Sequence, residues 1–297
     1  MIPNRGGTGF MRWLTRPPSK WWRRYNRLAK AILGHRQTAR MFFGARMVCD
    51  LDDYIGIRLR RFGFWEPHIS GLIQSRLRPG DVFCDVGAHI GYYTLLAAKA
   101  VGPAGTAIAI EPHRPFFDML RAHVALNDLR NVRAVQAAIA ERAGTVALFH
   151  GPKGNSGMTT TVASRGHGAA GEARALPLEE ILQPNEIARL RLLKIDIEGA
   201  EGPMLRHLLD TIDRYPKDME IVVEMAVDAL SPGGPDANDI IARFIAAGFA
   251  AYAVPNPYDI QSYVAFADLI APAPLMLPLG AQTDVLFSRT YQGRRVA

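Results

Sequence analysis

Cysteine is scarce in this chain, two in 297 residues, which excludes a disulfide framework and suits a reducing compartment. Cys84 sits inside the apolar run DVFCDVG, where a thiol serves as a small buried hydrophobe. No apolar run reaches the roughly 18 to 20 residues that a membrane-spanning helix needs, and no hydrophobic stretch of signal-peptide type follows the N-terminal charges. The expectation is a soluble, cytoplasmic protein. Acid is missing from one region: residues 1–49 carry eleven Lys and Arg and no Asp or Glu, against a net charge of +7 for the whole chain. The basic character therefore belongs to the tail, and the rest is net negative.

That tail interleaves Trp13, Trp21, Trp22, Phe42 and Phe43 with arginines, a composition suited to a surface helix against anionic membrane lipid or an acidic partner. A segment that docks on its own domain or stays disordered has the same composition, as does an organellar presequence, although nothing marks a cleavage site. Binding or modification of RNA through this tail is the alternative function from a different class.

From about residue 66 short apolar runs alternate with stretches of helical period, the pattern of a mostly parallel sheet with crossover helices. Strands are expected at 81–87, 106–112, 132–140, 145–150, 191–198, 220–226, 249–254 and 283–289. The Gly, Ser and Thr-rich segment 151–174 reads as a loop beside the site. Residues 1–65 are then a basic aromatic extension and lead-in, and 66–297 a single domain. Its oligomeric state is not legible.

Ligands of such sheets bind outside the carboxyl ends of the strands, and here those ends carry acids: Asp85, Glu111, Asp196 with Glu198, and Glu224. A glycine-rich turn after the first strand, with an acid ending the second, grips a nucleoside by its ribose. The turn runs Gly87, Ala88, His89, Ile90, Gly91. A dinucleotide pyrophosphate needs glycine where His89 stands, and no Lys follows to make a phosphate loop. S-adenosylmethionine has no phosphate and fits the same outline, with Asp85 orienting its methionine end and Glu111 accepting from both ribose hydroxyls.

At this point the sequence resembles a known family. GDVFCDVGAHIGYYTLLAA, IAIEPHRPFFDMLRAHVALND, LLKIDIEGAE and TDVLFSR together look like the FkbM family of S-adenosylmethionine-dependent methyltransferases. The resemblance covers about 66–289 and implies the class I Rossmann-like fold, a seven-stranded, mostly parallel sheet flanked by helices. It also implies that Asp85, Gly87 and Gly91 form the first cofactor motif, with His89 where the family often has Asn. Glu111 is then the ribose acid, and Asp196, Glu198, Gly199 and Glu201 match the fourth-strand motif. Glu66, in FWEPHIS, is placed to reach the methionine amino group. The family largely methylates hydroxyls of sugars, glycolipids and polyketide-type products, so a small-molecule or lipid-linked acceptor is implied.

Strand parity puts Lys194, Asp196 and Glu198 on one face. Glu201 is expected to offset a helix dipole, Glu198 to do that or chemistry, and Asp196 to face cofactor or acceptor as base or aligner, with His89 and His150 next in line. His113, His123, His167 and His207 receive no role. A metal is not assigned, although Glu224 with Asp196 and Glu198 would offer Mg²⁺ three oxygens. Asn256 to Tyr258, in PNPYDI, is expected to be a proline-rich turn lining the acceptor pocket.

Overall fold

The computed structural model describes residues 34–225, 237–258, 263, 271–279 and 282–291, with positions 24, 27, 28 and 30–32. Trp13, Trp21 and Trp22 lie outside the described residues, and with them most of the tail.

The described chain opens with a hairpin, β1 (Arg36–Arg40) and β2 (Arg46–Asp50), paired antiparallel. Met41, Met47 and Cys49 bury its inner side. Helix α1 (Tyr54–Phe62) follows, its first turn capped by Asp53, whose carboxylate accepts from the backbone N–H of Ile55 and Gly56. Gly63, at φ 75°, ends it in the left-handed conformation. Helix α2 (Pro67–Arg76) begins on a proline, which suits a first-turn position because its missing N–H has no partner there.

The central unit then alternates β3 (Val82–Val86), α3 (Tyr92–Val101), β4 (Thr106–Ile110), α4 (Arg114–Leu126) and β5 (Val132–Val135). After β5 the chain leaves the main sheet. Strands β6 (Ala138–Ile139), β7 (Gly144–Phe149) and β8 (Ala169–Leu176) form a separate three-stranded sheet. Short helices α5 (Leu178–Ile181) and α6 (Pro184–Ile187) lead back to β9 (Leu190–Ile195). Then come α7 (Glu201–Asp210), β10 (Glu220–Met225), α8 (Ala237–Ala246), β11 (Ala250–Val254), β12 (Ala273–Pro274) and β13 (Thr283–Ser288).

The main sheet has the order β12-β11-β13-β10-β9-β3-β4-β5. Setting aside the two-residue edge strand β12, the other seven, numbered along the chain, are arranged 6-7-5-4-1-2-3. The switch point lies between β3 and β9. Strands β5, β4, β3, β9 and β10 are parallel, and β13 runs antiparallel between β10 and β11. This is the seven-stranded, mostly parallel sheet that the family resemblance implies, with one extra edge strand.

Both faces are covered, and every residue of β3 is buried, Asp85 included. Val82, Cys84 and Val86 pack with α7 and α8, whereas Phe83 and Leu192 pack with α1, α2, α3 and the hairpin. The lead-in therefore forms one wall of the sheet rather than a detached arm.

Three local expectations need correction. The run 132–140 is two strands in two sheets, and 145–150 belongs to the smaller one. Part of the expected loop 151–174 is strand β8. Strand β9 stops at Ile195, so strand parity does not govern Asp196 and Glu198, which lie in the turn beyond it, Glu198 at φ 55°.

Candidate active site

The site forms where β3 and β9 end side by side. Gly87, at φ 79°, approaches the Asp196 carbonyl so closely that a Cβ there would sit 1.8 Å from that oxygen. Only glycine permits this contact, which is completed by the Asp196 N–H donating to Val86 O at 3.0 Å. Gly91, at φ 87°, precedes α3 and would press a Cβ against Leu120 at 3.0 Å. His89 takes a left-handed backbone, φ 50°, without being glycine, a strained conformation concentrated at functional turns.

That strain is held by Glu111. Its two carboxylate oxygens accept from the N–H of His89 and of His113, each at 2.8 Å. Burial pushes Glu111 up to about 7, the two backbone donors opposing. The carboxylate is thus fixed in orientation, and each oxygen keeps a further lone pair for a hydroxyl. The His89 ring stacks edge-on against Phe116, centroids 4.2 Å apart, and His113 meets the same ring at 4.5 Å. Burial pushes His89 down to about 4, so at neutral pH it is an uncharged imidazole. Gly87, His89, Glu111, Phe116, Ala138 and Asp196 line one cavity at this end of the sheet.

A charged layer continues from it. The register pairs Asp85 with Lys194, Lys194 with Val222, and Val222 with Leu286, so Asp85 and Lys194 share a face. The pair Glu224 and Asp284 lies two residues further along β10 and β13 on that face. Asp85 is fully buried. It accepts from the Thr94 hydroxyl at 2.7 Å, while its Oδ1 has no hydrogen-bond partner among the described residues. Thr94, in α3, is its anchor. Lys194 Nζ donates to Asp196 Oδ2 at 2.9 Å and lies 4.8 Å from the Tyr93 ring centroid. Burial would push the ammonium down, but Asp196, Asp85 and Glu66 outweigh it and hold Lys194 above the ordinary lysine range.

Glu66 caps α2 from a left-handed position, φ 39°. Its buried carboxylate receives the Tyr93 hydroxyl and, at 2.6 Å, the Tyr258 hydroxyl. Burial and then the neighbouring Asp196 push Glu66 up. Tyr258 and Asn256 belong to the turn after β11, and Asn256 donates to Asp284 at 2.8 Å. The sequence-predicted proline-rich turn therefore does reach the acid layer.

Beyond β9, oxygens of Asp196, Glu198 and Glu224 lie within 4.8 Å of one another. Burial, with Asp196 next, pushes Glu198 up to about 8 and Glu224 up to about 10. Glu201 begins α7, but its carboxylate turns back to accept from the N–H of Ile197 and Gly199. It fixes the turn that carries Asp196 and Glu198 instead of serving the helix alone. Thr160, from the small-sheet excursion, donates to the Glu198 carbonyl at 2.8 Å and closes the other side of that turn.

His150 stands apart from Asp196. It meets His113 ring to ring at 5.7 Å and lines a second, open groove of about 600 Å³ with Asp53, Lys153 and His167. This groove shares Phe116 and Thr159 with the first cavity. His123 is structural, accepting from the Val48 N–H and bonded to Ile90 O. Sequence reasoning missed Lys194 and Tyr93. The signal for Lys194 was there, a lysine one strand period from Asp196, whereas Tyr93 and the Glu66–Tyr258 contact are tertiary.

A seven-strand order of this kind, with a glycine turn after its first strand and an acid ending its second, defines a class I methyltransferase-type nucleoside site. The chain belongs to the FkbM methyltransferase family: the Methyltransferase FkbM domain matches residues 85–250, more than half its length. The family depends on S-adenosylmethionine. The chain is 28% identical over 189 residues to methyltransferase sdnD of Sordaria araneosa, a match spanning 54% of this chain and 70% of that one. It is also 28% identical over 177 residues to 31-O-demethyl-FK506 methyltransferase FkbM of Streptomyces tacrolimicus, spanning 50% and 66%. Among solved structures it is similar to Aeropyrum pernix fibrillarin with natively bound S-adenosyl-L-methionine, at TM-score 0.43 and 11% identity over 75% of this chain and 76% of that one.

Proposed function

We propose that this protein transfers a methyl group from S-adenosylmethionine to a hydroxyl of a small, polar acceptor, a sugar, glycolipid or other natural product. The observation that carries the reading is a single cavity with Glu111 on one wall and Asp196, paired to Lys194, on another. The pocket fits the cofactor on its own chemistry. Glu111 is pre-oriented to receive two ribose hydroxyls, the glycine turn lets backbone approach closely, and the buried carboxylates of Asp85 and Glu66 suit an ammonium. When bound, S-adenosylmethionine supplies an electrophilic methyl on a sulfonium.

The chain's own residues do the rest. Lys194 engages Asp196 Oδ2, leaving Oδ1 as the oxygen available to align an acceptor hydroxyl and take its proton. His89, an uncharged imidazole against Phe116, is a second acceptor at the same cavity. Holding the hydroxyl in line with the reacting carbon converts a bimolecular step into an intramolecular one. The adjoining groove of about 600 Å³ is of a size for a small-molecule ligand, and its mixture of Asp, Lys, His and Phe suits a hydroxyl-rich body. The name of the Streptomyces relative, a methyltransferase of 31-O-demethyl-FK506, supports this choice of nucleophile.

Calorimetric titration with S-adenosylhomocysteine tests the cofactor half. We expect binding at sub-millimolar ligand, weakened by Glu111→Ala; a flat titration in the wild type overturns the reading.

A further inference from the structure

Methyl transfer from a sulfonium to a hydroxyl breaks the S–CH₃ bond with its electron pair retained on sulfur and forms an O–CH₃ bond. The hydroxyl proton passes to a base. The sulfur is charged before the step and neutral after it. Carboxylates close to the sulfonium hold the ground state more strongly than the transition state, in which that charge is already falling, and such one-sided binding raises the barrier. A carboxylate that faces the sulfonium therefore needs a counter-charge.

The acids here are many. Glu66, Asp85, Asp196, Glu198, Glu224 and Asp284 crowd the carboxyl ends of β3, β9 and β10, the amino end of the antiparallel β13 and the cap of α2; burial holds Glu66, Asp85, Glu198, Glu224 and Asp284 above the usual carboxylate range, whereas Asp196 is ion-paired with Lys194 and lines the cofactor cavity. Arg165 faces Glu198, but the cation built into the sheet beside the cofactor cavity is Lys194. It is 4% exposed, bonded to Asp196 Oδ2 at 2.9 Å, electrostatically coupled to Asp85 and Glu66, and seated over the Tyr93 ring. Asp196, its direct partner, both lines the cofactor cavity and belongs to the carboxylate trio with Glu198 and Glu224. Lys194 stands where those two regions meet.

Resting on the methyl-donor reading above, we propose that Lys194 is a specificity-determining residue: through its pairing with Asp196 it sets the site's preference between the charged methyl donor and the neutral demethylated product. It lowers the hold on the sulfonium, and the product is released against a smaller difference in affinity. Acting through Asp196, it is a positioning residue and not the base.

The test compares three probes by calorimetry: S-adenosylmethionine, neutral S-adenosylhomocysteine, and sinefungin, which carries an amine at the reacting position. Lys194→Met is expected to tighten both cationic probes relative to S-adenosylhomocysteine by about tenfold, the size of one unit charge seen through a few ångströms of protein. Lys194→Arg should keep the ratio within about twofold of wild type, since the charge is restored. Asp196→Asn, which removes the paired acid and leaves the ammonium, should shift the ratio the opposite way, so the proposal is tested even if Lys194→Met does not fold. Equal weakening of all three probes by Lys194→Met, or a ratio that neither it nor Asp196→Asn moves, overturns the proposal. Wild type binding none of the three overturns the donor reading itself, a separate result.

Discussion

Tyr258 donates its hydroxyl to Glu66 Oε1 across 2.6 Å, joining the turn beyond β11 to the cap of α2, residues 192 positions apart in the chain. The second oxygen of the same buried carboxylate takes the Tyr93 hydroxyl. Two phenols thus hold Glu66 in a place where burial raises its pKa and disfavours its charge. Tyr258→Phe removes one donor and is expected to lower unfolding free energy by about 1 to 2 kcal/mol, measured by urea denaturation. An unchanged midpoint would mean that the contact contributes nothing.

Glu111→Ala leaves the backbone donors of His89 and His113 without their acceptor and removes the ribose anchor together. Cofactor affinity is expected to fall at least about tenfold and stability by about 2 kcal/mol. Glu111→Gln, which keeps one carbonyl oxygen, should lose less of both. The two variants are separated by calorimetry and by thermal melting; equal effects would argue against the hydrogen-bond account.

Raised carboxylates set the pH dependence. Folded Glu198 titrates at about 8 and Glu224 at about 10, against about 4.3 in an unfolded chain, so the native state holds protons that the unfolded state has lost. Their contribution to stability is complete below about pH 4 and is lost as pH rises through the folded values. His89, pushed down to about 4, acts in the opposite sense, but only below about pH 6.5. Stability of the ligand-free protein should therefore decline from pH 7 to pH 10. Glu224→Gln should be more stable than wild type at pH 9.5, by a margin that is smaller at pH 6.5 and vanishes only near pH 4, as read from denaturation midpoints. A wild-type stability that rises over this range contradicts the assignment.

Asp196→Asn is expected to lower kcat by about 10² to 10⁴, the usual worth of a positioned general base, while S-adenosylhomocysteine affinity changes less than about threefold. Loss of binding with turnover at saturation unchanged would reassign the residue to the cofactor.

The hairpin sets where the basic tail can be cut. A truncation at residue 49 would remove β1 and all but the last residue of β2, and with them Met41, Met47 and Cys49, which pack in the core. The informative truncation removes residues 1–33. We expect liposomes containing phosphatidylserine to float the full chain and not the truncated one, with the difference erased by high salt. Equal flotation would place any lipid contact elsewhere, since Arg24, Arg27, Leu28 and Ile32 in that segment are exposed. Among the described residues no helix is long and apolar enough to cross a membrane.

Much of the fold and of the site is legible in the sequence. The glycine turn and the acids at strand ends are local signals, because the chemistry they serve sits where each strand must stop, and Asp85, Gly87, Gly91, Glu111 and Asp196 all fall at one end of the sheet. Parity failed at Glu198 because β9 ends three residues earlier, and the carboxylates were brought together by a turn that Glu201 and Thr160 hold from outside. The small sheet was not legible: 145–150 has ordinary strand composition, and nothing local says which sheet it joins. Glu66, Tyr93 and Tyr258 meet only through packing of α2, α3 and the turn after β11, a tertiary relation without a sequence period. Lys194 is visible in the sequence, where strand parity gives its face, but the acids its charge balances come from other elements.

The central claim is methyl transfer to a hydroxyl, and it is tested most directly by incubating the protein with methyl-labelled S-adenosylmethionine and cell extract, then isolating the labelled product. The account predicts a small, polar product whose label survives alkali, as an ether methyl does and an ester methyl does not, and which is absent with Asp196→Asn. Label recovered only in nucleic acid, or only in alkali-labile esters, would contradict it.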